Sequence, residues 1–272
     1  MSDERDVDQK RPGLTRYRYA LLIGVFICFP PSLPLAHAQN DRAPSTSQAR
    51  QLLHAAIEAL GGETFLALKT IVGKGMYSQF DENGNLEFLA KFVDYIVYPD
   101  KERTEFGKGK NRFIQTNIGT TGWIYDGQQK AIRDQTPEQV ENFQRGFRHS
   151  LDNILRRWHQ SKPPLRYLGE REIWFRQRGQ GVEIRFTLPD GSEDVVEVYI
   201  DPQTHLPLSV AYGNEEDRFF LYQDIDGIRW PFRIDHYRNG VQTSRIAYSS
   251  VVFNRAVDPR LFEKPTNPKK VK

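Results

Sequence analysis

The sequence predicts a mainly antiparallel β protein with two helices (α+β), folded as one half-open, strongly curved barrel of about ten or eleven strands that covers those helices. Three observations carry this. Beyond Leu66 most of the chain falls into short runs rich in Val, Ile, Phe, Tyr and Thr, each bounded by a turn signal. Helical spacing occurs twice, once ahead of the strands and once in their middle. No repeat or low-complexity linker divides the chain, and residues 135–165, where a linker between two sheets would have to lie, read instead as the best-marked helix.

At the N-terminus, Arg11, Arg16 and Arg18 precede the apolar run ALLIGVFICF, which ends in prolines and Ala36-His37-Ala38. This reads as a cleavable signal peptide over residues 1–38, with export to the periplasm. The run is roughly ten residues long, about half of what a membrane-spanning helix needs. Cys28, the only cysteine, lies inside it without the small residues before it that lipid attachment requires. Cleavage would leave no thiol for a disulfide, a metal site or a nucleophile. A flexible leader over 39–46, a single domain over 47–265 and a disordered basic tail over 266–272 complete the expected organisation. The 38 basic and 35 acidic side chains are scattered, with no basic arm, so nucleic acid is not an expected partner.

From Ser47 to Leu60, the residues Leu52, Leu53, Ala56, Ile57 and Leu60 recur at helical spacing; Ser47 is placed to cap the start and Gly61 to end it in a left-handed conformation. Strands follow to Lys130, punctuated by DENGN, YPDK, GKGKN, GTTG and DGQQ. The run LEFLAKFVDYIVY is apolar on both faces, as expected of a strand covered on both. Thr136-Pro137-Glu138-Gln139 combines a cap, a proline at the first helical position and the residue that closes a capping box. The helix is expected to run to Pro163-Pro164 with Val140, Phe143, Phe147, Leu151, Ile154, Leu155 and Trp158 on one stripe, and Arg156 and Arg157 near its negative end. Five or six further strands follow, with Asn239-Gly240 as the strongest hairpin turn.

Motifs for chemistry are missing. GKGKN lacks the spacing of a phosphate loop, and DENGN places its glycine too early for a calcium loop. The histidines beyond residue 38 show no HxxxH or HxH spacing, and no GxSxG or SxxK marks a serine nucleophile. No catalytic residue, metal or cofactor is therefore expected. The surplus is aromatic, and a helix capping a curved sheet loosely would leave a hydrophobic cavity. By strand parity its lining is assigned to Phe88, Phe92, Phe113, Trp123, Phe143, Phe147, Phe186 and Trp230, with acyl chains as the guest. Two alternatives stay open: a protein-interaction module with a filled core, whose Arg145, Arg148, Arg156 and Arg157 dock an acidic partner, and an envelope hydrolase, which clustered acids in a cleft would favour.

The segments EALGGETFLALKTIVGKG, GWIYDG, VYIDPQTHLPLSV, YQDIDGIRWPFRIDHYRNG and FNRAVDPRLFEKP together resemble the LolA/LolB-like outer-membrane lipoprotein-sorting superfamily, from about Arg50 to Pro265. The resemblance implies a half-open β barrel covered by helices, with a cavity for lipoprotein acyl chains or other lipids. It also implies contacts with membrane-bound envelope proteins, and the missing lipidation cysteine suits a soluble carrier rather than an anchored acceptor.

Overall fold

The computed structural model describes residues 46–271. The signal-peptide reading, and the leader up to residue 45, lie outside the described residues. Helices α1 (Thr46–Leu60) and α2 (Gly62–Leu66) come first. Strands β1 (Thr70–Phe80), β2 (Leu86–Val97), β3 (Lys101–Phe106), β4 (Phe113–Ile118), β5 (Thr121–Asp126) and β6 (Ala131–Asp134) follow as a meander. Helices α3 (Pro137–Arg148) and α4 (Leu151–Ser161) interrupt the strands. A second meander contains β7 (Leu165–Trp174), β8 (Gln177–Thr187), β9 (Glu193–Ile200), β10 (Pro207–Tyr212), β11 (Glu215–Ile225), β12 (Ile228–Arg238) and β13 (Val241–Phe253).

Pairing of β1 with β13 joins the two meanders into one thirteen-stranded antiparallel sheet that leaves β6 and β7 as open edges. The strand count exceeds the expected ten or eleven because pieces as short as the four-residue β6 carry too few residues to show alternation in the sequence. Asn239 and Gly240, both at positive φ, make the tight turn between β12 and β13. The C-terminal residues Pro268–Lys270 form a 3-10 turn whose preceding Asn267 accepts from the Lys269 amide.

Two glycines let the sheet bend where its halves meet. The pairing register of β1 on β13 shifts between Lys74 and Gly75, and a Cβ on Gly75 would lie 2.1 Å from the carbonyl oxygen of Ala247. At Gly73 the missing side chain makes room for the ring of Tyr248, which a Cβ would approach to 2.6 Å. Tyr248 is thereby laid over the inner face of the sheet.

The first helix ends at Leu60, as its spacing predicts, but the chain re-enters a helix at once. Gly61 (φ +125°) and Gly62 (φ +56°) form this junction, and a Cβ on Gly61 would lie 2.5 Å from the carbonyl oxygen of Gly227. The central helix carries the expected capping box at Thr136 and Gln139. It is, however, two helices rather than one, broken at His149-Ser150, and only the second is packed inside. Leu151, Ile154, Leu155 and Trp158 of α4 are buried, whereas α3 buries none of its residues. At the break Ser150 takes the extended conformation of an N-cap for α4, and His149 hydrogen-bonds Asp194 at the start of β9. Arg156, expected near the helix end for its dipole, is buried and donates from Nη2 to the carbonyl of Leu68 at 2.6 Å.

The core occupies one side of the concave face. Leu53, Ala56 and Leu60 of α1 and Ile154, Leu155 and Trp158 of α4 interdigitate with Val182, Ile184, Val196, Val198, Ile200 and Val210 of β8, β9 and β10. The helices therefore fill the inner face against β8, β9 and β10. They leave it unfilled toward β1, β2, β12 and β13.

Candidate functional site

The unfilled space is a cavity of about 740 Å³, bounded by α3, the start of α4, and strands β1, β2, β11, β12 and β13. That size falls within the range typical of ligand pockets, about 300–1,000 Å³. A wider groove of about 1,020 Å³ opens at the far end of β1 to β4. Tyr77 and Gln79 line both, so the two spaces adjoin along β1. Within the groove Tyr77, Phe88 and Phe106 form a cluster of rings, and Phe113 lies against Phe106.

The eight residues assigned to the lining by parity separate into three groups. Phe143, Phe147 and Trp230 line the cavity together. Phe88 and Phe113 line the outer groove instead. Phe92, Trp123 and Phe186 are buried and line neither space. Phe92 packs edge-on against Tyr248, Phe186 lies under the guanidinium of Arg157, and Trp123 donates from Nε1 to the carbonyl of Phe262 at 2.9 Å. Parity orders side chains along one strand but leaves open where along a curved sheet the helices end, and that decided these three positions.

Sequence reasoning missed the polar floor. Asp94 on β2, Glu102 on β3 and Asp152 on α4 all line the cavity; Asp94 and Asp152 are 7% and 5% exposed. Thr104 donates to Asp94 at 3.0 Å, and the hydroxyl of Tyr98 donates to Asp152 in a short hydrogen bond. Among the described residues, none of the three forms an ion pair with a basic side chain.

Burial raises the Asp94 carboxyl to about 7. Burial, and then the charges of Asp94 and Asp152, push Glu102 well above the carboxylate range. Tyr248 is also raised, first by burial and then by the same three acids, which places all of them around one phenol. The signal available in the sequence was the alternation of Asp94 with Phe92 and Ile96, a carboxylate on a face otherwise apolar.

The other charges at the wall are paired. His236 contacts Asp217 at 2.5 Å, and Arg238 and Arg145 both reach Glu215, at 3.2 and 3.3 Å. Burial lowers the His236 pKa, but the charge and hydrogen bond of Asp217 outweigh this and raise it overall.

The roof over this cavity is held by one carboxylate. Asp194, at the start of β9, accepts from His149 Nε2 at 2.6 Å and meets Arg148 at 3.5 Å and Arg157 at 3.4 Å. Tyr212 stacks on the His149 ring at 4.0 Å. Burial would raise Asp194, but the hydrogen bond and charge of His149, with Arg157 and Arg148, hold it below its ordinary value; as a carboxylate it only accepts, so Nε2 carries the proton. Asp194→Asn keeps the shape and removes the charge. The variant is expected to lose about 1–3 kcal/mol and to exchange the amides of α3 faster than wild type, read by hydrogen exchange over 137–148. Unchanged exchange there would show that this cluster does not hold the roof.

Comparison with known proteins supports the fold. No family model matches the chain, and no curated protein does. Among solved structures it is similar to a DUF1329 family protein from Desulfovibrio piger, with a TM-score of 0.53, 14% identity, and coverage of 79% of this chain and 97% of that one. It is also similar to a putative outer membrane lipoprotein-sorting protein domain from Vibrio parahaemolyticus (TM-score 0.52) and to a LolA superfamily protein from Nitrosomonas europaea (TM-score 0.51). Each of these is 13% identical, over 79% of this chain and 97% of that one. The shared feature is the fold: a long antiparallel sheet, not closed, curved over a few helices.

Proposed function

We propose that this chain, which has the LolA-superfamily fold, is a periplasmic carrier or sensor that takes the acyl chain of a lipoprotein or another lipid into the cavity under α3 and carries out no chemistry of its own. One observation carries the reading: the inner face of the sheet is filled by helices on one side and left open on the other, under a helix that buries none of its residues. Phe143, Phe147 and Trp230 form the apolar wall, and Phe88 and Phe113 extend it into the outer groove. Each methylene removed from water contributes about 0.8 kcal/mol, so a twelve-carbon chain gains roughly 10 kcal/mol before ordering costs. The names of two similar structures, a putative outer membrane lipoprotein-sorting domain and a LolA superfamily protein, are consistent with such a role.

The test is lipid retention: mass spectrometry of the purified protein together with displacement of a fluorescent fatty-acyl probe. Gly146 lines the cavity from α3, with open space where a side chain would stand. Gly146→Trp is expected to fold normally and to weaken probe binding. A wild-type protein that neither retains lipid nor binds the probe would sink the reading. The interaction-module alternative requires a solid interior at Phe143 and Phe147, and both border open space. The hydrolase alternative is favoured by one observation, the three carboxyl groups in the cavity. Turnover of an ester or glycoside panel that disappears in Glu102→Gln would select it.

A further inference from the structure

We propose that the guest of this cavity carries a cationic amine head, seated on the carboxyl groups of Asp94, Glu102 and Asp152, with its apolar tail running past Tyr77 toward the outer groove. This rests on reading the cavity as a ligand site and names the chemistry of what enters it.

Charge points to a cation. Three acids share one small, mostly apolar space without a basic ion-pair partner among the described residues, while the neighbouring acids Glu215 and Asp217 are each matched by Arg145 and Arg238 or by His236. Burying an uncompensated carboxylate is costly, and a cation supplied by the guest removes that cost. The guanidinium beside the cluster does not serve: Arg156 is bound to the Leu68 carbonyl and lies over the Tyr98 ring at 3.9 Å. Nor do the acids form a metal cage, since no group of three His, Cys, Asp or Glu residues among those described is arranged to hold an ion. An ammonium, which brings its own three donors, suits carboxyl groups spread over β2, β3 and α4.

Trp230 forms part of the apolar wall beside the acids. It lines the same cavity, is 6% exposed, and its Nε1–H has no hydrogen-bond partner. That Nε1 is closed off by the protein itself, so the ring rather than the N–H is what Trp230 offers the cavity. The acids and this apolar wall together describe an amphiphile with an amine head. They disfavour a fatty acid, whose carboxylate would meet three others.

Proton linkage follows from the same geometry. The Asp94–Glu102 pair retains a proton in the empty cavity, with Thr104, Tyr98, Tyr248, Asp152 and Arg156 around it and His236, Asp217, Glu215 and Arg238 in the rest of the wall. An ammonium displaces that proton, so its affinity increases as pH rises through the range in which the pair titrates.

The experiment is calorimetric titration of the purified protein with three probes of one chain length: dodecylamine, dodecan-1-ol and dodecanoate, from pH 5.5 to 8. At pH 7.5 the amine is expected to bind about tenfold or more tighter than the alcohol, the effect of charge-assisted hydrogen bonds, with dodecanoate weakest. The amine preference is expected to grow with pH while the alcohol stays flat. Glu102→Gln and the double variant Asp94→Asn/Glu102→Gln, checked for folding by thermal melting, are expected to lose the preference for amine over alcohol. Equal binding of amine and alcohol, tighter dodecanoate binding, or a preference that survives in the double variant would each overturn the assignment while leaving the cavity reading in place. Binding of none of the three would overturn both.

Discussion

Trp158→Ala is expected to lower the stability of the domain by about 3–5 kcal/mol, the usual cost of removing a large buried aromatic side chain. Trp158 is 1% exposed and sits on α4 at the seam with α1. His54 of α1 packs edge-on to its ring at 4.9 Å, and the Lys162 ammonium covers it at 4.7 Å. Ile154 and Leu155 around it are fully buried in strand and helix side chains, so the void left by alanine has no mobile neighbour to fill it. At about 2–4 °C per kcal/mol for a domain of this size, the melting temperature is expected to fall by roughly 6–20 °C. Phe143→Ala, on the unburied helix α3, is the control and is expected to cost less than about 1.5 kcal/mol. Urea denaturation of both variants checks the pair. A Trp158 variant no less stable than the Phe143 variant would mean that α4 is not the helix that completes the core.

Asp94→Asn is expected to act in the opposite direction, increasingly as pH rises from about 4 through 7. In the unfolded chain an aspartate loses its proton near pH 4, whereas burial holds the folded Asp94 carboxyl protonated up to about 7. Over that interval the folded state binds the extra proton, so stability falls as pH rises from about 4 through 7. Each tenfold difference in proton affinity between the folded and unfolded chain corresponds to about 1.4 kcal/mol, which gives a penalty on the order of 2–4 kcal/mol at pH 8. Asparagine cannot ionise and retains an acceptor for Thr104. The variant is therefore expected to match or trail wild type at pH 4 and to exceed it at pH 8.

Asp194 contributes with the other sign. Its partners depress its pKa, so the stability it supplies is present above the ordinary aspartate range and lost as pH falls through its folded value. The difference between Asp94→Asn and wild type at pH 4, 6 and 8 isolates the cavity acid, because the Asp194 contribution is common to both. Parallel curves would show that Asp94 ionises without cost, and the uncompensated charge in the cavity would be wrong.

Much of the architecture was legible because it is written in short-range signals. Thr136, Pro137 and Gln139 mark the start of α3, and the structure closes the capping box there. Asn239-Gly240 marks a two-residue turn, and both residues adopt the positive φ it needs. Other boundaries were not legible for equally local reasons. The stripe from Val140 to Trp158 is continuous in the sequence, yet the helix breaks at His149-Ser150, where His149 meets a carboxylate 45 residues later on β9. Ser150, the extended N-cap of α4, with Asp152 in the first turn, is the local signal of this new start that the continuous apolar stripe overrode.

By itself the sequence determined an antiparallel sheet with helices ahead of it and in its middle, since alternation, helical spacing, caps and turns each depend on residues a few positions apart. It also determined that aromatic side chains exceed what strand pairing alone uses. Only the tertiary structure decided which of them border empty space, and that the space has an acidic floor. Asp94, Glu102 and Asp152 come from two strands and a helix, and they meet because the sheet bends at Gly75 and α4 is drawn beneath it. A carboxyl group's solvation is set by whatever surrounds it in three dimensions, and those neighbours are distant in the chain.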